Sequence, residues 1–297
     1  MRKLILVLTC FLFIIVVKEG QALNKAFLES TVLISYKTSA NVISSGTGFL
    51  VFREVSESKD CIFLVTNKHV LPLEGSLQSI NIRVNTMNQD ESKVEKIDIC
   101  VVGENGKYLP IIKFHPNEKY DITAIDITDY ITQFAIKATW IPYSLFVTKE
   151  KLKTENISVG DEVFFLGYPD AIYDPRNVFP IVRIGIISTV PSEGYIFKDI
   201  LRKKYNLPEK IDGFLMDANV FPGSSGSIVI LKPQAATVGP KGGTIIGGLK
   251  KTPYLLGIIS GSIPIYDTAL DSKQRMGLGI VYSADAIKET IESFFHQ

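Results

Sequence analysis

The sequence predicts an all-β protein with an amphipathic helix at its C-terminal end. Short apolar segments recur at 31–36, 48–52, 62–66, 80–84, 97–102 and 122–127, and again at 163–167, 182–190, 213–217, 227–231 and 255–260. Val, Ile, Phe and Tyr dominate these segments and polar turns separate them, the pattern of an antiparallel barrel or sandwich. The more polar region 142–158, with Lys149-Glu150-Lys151-Leu152-Lys153, divides the two sets and suits a connection between two barrels.

Two stretches interrupt the second set. Residues 192–212 carry Phe197, Ile200, Leu201 and Tyr205 at helical spacing, which predicts a short helix there. Residues 232–254 hold several glycines and prolines and read as a hairpin with a long irregular tip. At the end of the chain, Ser283 is a good N-cap and Asp285 suits the positive end of a helix. Ile287, Ile291, Phe294 and Phe295 then form one apolar stripe, so a helix over 283–295 is expected to pack on the second barrel.

Composition excludes little and narrows much. With 297 residues, 46% hydrophobic and 21% charged, the chain reads as an ordinary globular protein. A net charge of +1 offers no general attraction to nucleic acid or an anionic membrane. Residues 1–22 stand apart. Arg2-Lys3 precede an apolar region over 4–17, and Gly20-Gln21-Ala22 supplies small residues for cleavage after Ala22. This is a secretory signal pattern. The apolar region falls short of the ~20 residues a membrane-spanning helix needs, so no stable anchor is expected after cleavage. The expectation is an exported protein, periplasmic or extracellular. Cleavage removes Cys10 and leaves Cys61 and Cys100, whose spacing fits no metal site and which read as two buried thiols.

The chemistry gathers around Phe221-Pro222-Gly223-Ser224-Ser225-Gly226-Ser227, between two apolar runs. A serine flanked by glycines at a bend can lift its hydroxyl clear, and Gly223 can adopt backbone angles closed to other residues. That would let the amides of Gly223 and Ser225 converge as an oxyanion site, where each donor is worth roughly 3 kcal/mol to a transition state. A serine nucleophile needs an oriented base. The chain has three histidines. His115 precedes Pro116 in a loop and His296 is at the end, whereas His69 follows a strand-like segment in Thr66-Asn67-Lys68-His69-Val70. Asp121 heads the alternating segment Tyr120-Asp121-Ile122-Thr123-Ala124-Ile125-Asp126-Ile127. The order is therefore His69, Asp121, Ser225.

From Ser45 onward these motifs resemble those of the trypsin-like serine peptidases, especially the bacterial HtrA-like branch. Ser45-Gly46-Thr47-Gly48-Phe49-Leu50 is similar to that family's first glycine-rich strand, and 66–70 and 121–127 to its histidine and aspartate segments. Val159-Gly160-Asp161-Glu162-Val163 with Gly167-Tyr168-Pro169, and Gly185-Ile186-Ile187-Ser188, resemble strands of its second barrel. Asp217-Ala218-Asn219 with Pro222-Gly223-Ser224-Ser225-Gly226 resembles its nucleophile segment. Ser224 departs from the family's Asp or Asn, and Ser227 from its second glycine. The resemblance implies two six-stranded antiparallel β-barrels, the first over about 28–140 and the second over about 159–282, joined by 141–158. Residues 23–297 would form one peptidase domain, with no PDZ-sized segment after the helix.

It further implies a His69–Asp121–Ser225 triad with Gly223 and Ser225 as oxyanion donors. Ser260, Gly261 and Ser262 would pair with extended substrate, and Asn219 would form the pocket base with Ser262 and Gly277 on its walls. No carboxylate falls there, which favours a small or medium apolar side chain over Lys or Arg. The expected activity is hydrolysis of protein or peptide substrates through an acyl-enzyme, without cofactor or metal. The alternative is a non-catalytic peptide-binding or chaperone-like module on the same fold. An esterase elbow would require the order Ser, acid, His, opposite to this chain.

Overall fold

The computed structural model describes residues 23–296, apart from 39–41, 57–58, 76, 88–91, 134–137, 234–235, 239–243, 247–251 and 268–271. The chain opens with a short helix, α1 (Lys25–Ser30), capped by Asn24, whose Oδ1 accepts from the Ala26 amide. An eight-stranded sheet follows. Its members are β1 (Thr31–Lys37), β2 (Ile43–Ser56), β3 (Lys59–Thr66), β4 (Gln78–Met87), β5 (Ser92–Val102), β6 (Ile112–Phe114), β7 (Thr123–Asp126) and β8 (Ile141–Pro142). The order is β5-β4-β1-β2-β3-β7-β6, with β8 parallel to β2. Helix α2 (Thr128–Gln133) follows β7.

The sheet curls but does not close as a six-stranded barrel. Among the described residues its edges meet at one bridge, Val102 to Tyr108, ahead of β6. The reason is local: the chain between Val102 and Ile112 turns rather than extends, with Gly103, Asn105 and Gly106 supplying the bend. Alternate residues still fill the concave side, where Ile34, Leu50, Leu64, Ile80, Ile82, Ile99 and Ile125 are buried together.

The second half is a closed barrel, as expected. It comprises β9 (Glu162–Gly167), β10 (Ile181–Ile187), β13 (Gly213–Asp217), β14 (Ile228–Leu231), β17 (Leu255–Asp267) and β18 (Ser272–Ser283), in the order β10-β13-β18-β17-β14-β9. Between β10 and β13, β11 (Tyr195–Ile196) pairs with β12 (Lys210–Ile211) around helix α4 (Asp199–Tyr205). The helix expected in 192–212 is therefore present, but Phe197 is a buried anchor ahead of it and Ile200 points to solvent. Between β14 and β17, β15 (Ala236–Val238) pairs with β16 (Thr244–Ile246) as the expected hairpin, whose tip lies outside the described residues. The connection over 142–158 carries helix α3 (Lys149–Thr154), N-capped by Thr148.

Helix α5 (Ala284–Glu292) closes the chain with Ser283 as its cap. Its buried stripe, Ile287 and Ile291, does more than pack on the barrel. It joins Phe27, Phe49, Phe63, Val65, Leu166, Ile228 and Ile258 in an apolar cluster shared by both halves. The α5 residue Glu292 also pairs with Arg53 of β2 through two charge-assisted bonds, at 2.8 and 2.5 Å. The sheet, the barrel and α5 thus share one core, and the site lies along their seam. Cys61 is buried and Cys100 only partly so, and they are not bonded to each other.

Candidate active site

His69 stands on one tight turn, Lys68–Val70, directly after β3. Val70 is buried and roots the turn, which leaves the imidazole on the surface. Asp121 sits just ahead of β7, and its backbone carbonyl accepts from the Asn67 side chain at 2.6 Å. Asn67 is fully buried, so the histidine turn and the aspartate are tied by a bond shielded from water. The Asp121 carboxylate then takes His69 from two directions. Oδ1 accepts from the His69 amide at 3.1 Å, and Oδ2 lies 2.5 Å from Nδ1. With Nδ1 committed to the carboxylate, Nε2 is the nitrogen left to take a proton.

Ser260 completes the carboxylate's surroundings. On β17, Ile259 pairs with Val281 and Gly261 with Ile280, so Ser260 is the extra residue of a β-bulge against β18. A bulge takes one residue out of the ladder and re-aims its side chain. The Ser260 hydroxyl donates to Asp121 Oδ2 at 2.8 Å, and its carbonyl accepts from the Ser225 hydroxyl at 3.0 Å. His69, Asp121, Ser260 and Ser225 therefore form one connected cluster. Among the described residues no hydrogen bond joins Ser225 Oγ to the His69 ring.

The loop carrying Ser225 is fixed by its carbonyls. A trans peptide is planar, so anchoring its C=O aims its N–H the opposite way. Pro222 O accepts from the Asp170 amide at 2.7 Å, which sets the Gly223 N–H. Ser224 O accepts from the Ser227 amide at 3.0 Å, which sets the Ser225 N–H. Among the described residues, neither the Gly223 nor the Ser225 amide has a protein acceptor. Glycine is required at two points here. Gly223 has φ +80° and a Cβ on it would overlap Tyr168 O; Gly226 has φ +88° and a Cβ would overlap Thr47 O.

Ser224, next to Ser225, is 1% exposed. Its Oγ accepts from the Phe221 amide at 3.3 Å and lies 3.4 Å from Arg183 Nη2. The Arg183 guanidinium rests over the rings of Phe165 and Phe221, 4.4 and 5.3 Å from their centroids.

Asn219 is exposed, and a Cβ on Gly277 would lie 3.9 Å from its Oδ1. Ser262 pairs across to Gly279, two residues beyond Gly277. Asp126, in the same segment as Asp121, accepts from the Thr128 amide and hydroxyl at the start of α2. His115 is buried rather than a loop bystander: its ring lies tilted against that of Tyr120, with centroids 4.6 Å apart, and its Nδ1 accepts from the Asn117 amide. Asn67 and Thr47 were not singled out from the sequence, and the only signal for them is their place inside the T-N-K-H and G-T-G segments. Among the described residues, no group of three side chains gathers to hold a metal, and no helix is long and apolar enough to cross a membrane.

A closed barrel against a curled sheet, with its candidate site in the seam, defines the class of chymotrypsin-fold peptidases. The chain belongs to the trypsin-like peptidase domain family, whose model matches residues 46–239. No curated protein matches the chain significantly. Among solved structures it is similar to a serine-to-alanine variant of Rv3671c from Mycobacterium tuberculosis H37Rv in its inactive form, at 17% identity and a TM-score of 0.46, over 92% of this chain and 90% of that one. The inactive form of the Rv3671c protease gives 18% and 0.44, over 91% and 90%. The catalytically active tobacco etch virus protease in complex with product gives 10% and 0.43, over 89% and 77%.

Proposed function

We propose that this peptidase is a serine endopeptidase in which His69, Asp121 and Ser225 act as base, orienting acid and nucleophile. Ser225 Oγ attacks the peptide carbonyl while His69 Nε2 takes its proton; the amides of Gly223 and Ser225 receive the oxyanion. The tetrahedral intermediate expels the amine, which leaves with the proton from His69, and water releases the acyl group by the same steps in reverse order. The observation that carries the reading is the Asp121 carboxylate, held by His69 and Ser260 together while Ser260 also contacts Ser225. For attack, the Ser225 hydroxyl must rotate from Ser260 O to His69, a change about one bond.

Extended substrate would lie beside Ser260, Gly261 and Ser262 as an added strand. Asn219, the residue expected at the pocket base, carries no charge, which supports preference for a small or medium apolar side chain at the cleaved bond. Residues 1–22 lie outside the described residues, and their pattern supports export to the periplasm or the extracellular space. A second reading, a peptide-binding module without catalysis, draws on the Ser225 hydroxyl donating to Ser260 rather than to the histidine.

One experiment separates the two. The form beginning at Leu23 is treated with a fluorophosphonate, which reacts only with an activated serine, and is offered a peptide library. Labelling and cleavage that both vanish in Ser225→Ala are expected. A wild-type protein that binds peptides but neither labels nor cleaves them would establish the binding module instead.

A further inference from the structure

The proposed oxyanion site places one of its two donors on Gly223, the residue type with the greatest backbone freedom. Something outside the loop must hold that residue if its amide is to stay aimed. The Gly223 carbonyl accepts from the Thr47 hydroxyl at 2.8 Å. The same Thr47 oxygen accepts from the Tyr168 amide at 3.0 Å, so it serves as donor on one side and acceptor on the other. The Thr47 backbone amide donates to Ser225 O at 2.9 Å. Thr47 is fully buried, which shields all three bonds from water.

The turn that Thr47 grips is anchored independently. The Tyr168 side chain is buried and its hydroxyl lies 3.0 Å from Thr31 O and 2.8 Å from Val178 O. Burial raises the Tyr168 pKa, so the phenol stays neutral and keeps its proton to donate. Two residues on, Asp170 sits at φ +48°, a conformation a non-glycine residue rarely adopts, and its amide is the one aimed at Pro222 O. The peptides on both sides of the Gly223 Cα are thus held from outside: 222–223 by Asp170 and 223–224 by Thr47.

Resting on the serine peptidase reading, we infer that Thr47 is a positioning residue for oxyanion binding. Its hydroxyl, supplied from the sheet half, holds the 223–224 peptide of the barrel half, so that with Asp170 on the 222–223 peptide both planes flanking the Gly223 Cα are fixed and its N–H stays aimed. Thr47 touches no substrate and acts only through Gly223 and the Tyr168 turn.

The test compares wild type with Thr47→Val, which keeps the shape and loses the hydroxyl, Thr47→Ser, which keeps it, and Thr47→Cys, which offers a weaker donor. The readouts are kcat and KM on a quenched fluorogenic peptide selected by wild-type cleavage, affinity for the matching peptide trifluoromethyl ketone, and thermal unfolding. For Thr47→Val, kcat should fall about 30-fold, within the loss a small misplacement of a catalytic group produces. KM should hold within twofold, and affinity for the ketone, which forms an oxyanion, should fall in parallel with kcat/KM. Thr47→Ser should restore both, with Thr47→Cys between. A folded Thr47→Val with wild-type kcat, or one that raises KM alone, overturns the inference. If Thr47→Val does not fold, equal kcat in the Ser and Cys variants overturns it. A wild-type protein that neither labels with fluorophosphonate nor cleaves would fail the peptidase reading itself, and this inference with it.

Discussion

Asp121 accepts hydrogen bonds from four donors: the amide and ring of His69, the Ser260 hydroxyl and the Asn67 side chain. An amide in place of the carboxylate would still fill the space, but its NH2 would face the His69 nitrogen that now donates. The ring would then reverse its tautomer and lose Nε2 as a base. Asp121→Asn is expected to lower kcat by on the order of 10⁴ with the fold intact, as in related triads. Ser260→Ala is a milder change, since the carbonyl that meets Ser225 remains and only one donor to Asp121 is lost. A kcat decrease of about 10- to 30-fold is expected, the worth of one charge-assisted bond of about 1.5–2 kcal/mol. Steady-state kinetics on the two purified variants checks both, and equal effects would contradict the separate roles given to the two residues. At this scale the gathering of His69, Asp121 and Ser225 was legible in the sequence from their residue types and order, and the structure brings them into one hydrogen-bonded cluster through Ser260. The hydroxyl role of Ser260 was not, because it depends on a one-residue register shift between β17 and β18 that alternation of side chains does not display. Thr47 was hidden for a similar reason: its partners, Tyr168 and Gly223, are distant in sequence.

Two elements decide whether these residues meet. The first is the bend at Gly226, where the segment carrying Ser225 presses against the carbonyl of Thr47 on β2. A methyl group cannot be accommodated at that φ without moving backbone. Gly226→Ala should therefore destabilise by about 2–4 kcal/mol, the sum of backbone strain and overpacking, read as a lower midpoint in urea unfolding. The second is α5, whose Glu289 lies 3.2 Å from the Nε2 of buried His115. Burial depresses the His115 pKa below its ordinary 6.5, against a smaller opposing pull from Glu289. In the folded state the ring therefore stays neutral at a pH where the unfolded chain already binds a proton. That part of the stability is complete above pH 6.5 and is lost as pH falls from there through the lower folded value. His115→Phe should flatten this part of the stability–pH curve between pH 7 and 5, measured by urea unfolding, whatever its effect at pH 7. An unchanged slope would assign the titration elsewhere. The strands were legible from alternation, as was α5 from its apolar stripe. Closure of a sheet was not, because it depends on how the 103–111 turn meets β5 rather than on any strand's own pattern.

Across the whole molecule, the seam between sheet and barrel is bridged by Thr47 to Gly223 and Ser225, by the Tyr168 hydroxyl near Thr31 O, and by Arg53 to Glu292. In peptidases that are activated by clipping, a new terminal amine enters the protein and pairs with an acid beside the nucleophile. Here that position is Ser224, which has no charge to offer and already lies beside the Arg183 guanidinium. A buried ammonium would meet a like charge as well as lacking a counter-charge, a penalty of several kcal/mol. The segment at the expected mature start is also occupied: Asn24 caps α1, and Phe27 of that helix is in the shared core. Competence is therefore expected to need no cleavage beyond removal of residues 1–22. The measurement is the rate of fluorophosphonate labelling for a form beginning at Leu23 and for one carrying four additional residues before it. Equal rates are expected, because neither terminus has a charged role in the nucleophile loop. A marked loss of labelling in the extended form would show that a free amine is needed after all, and that Arg183 does not fill the place beside Ser224.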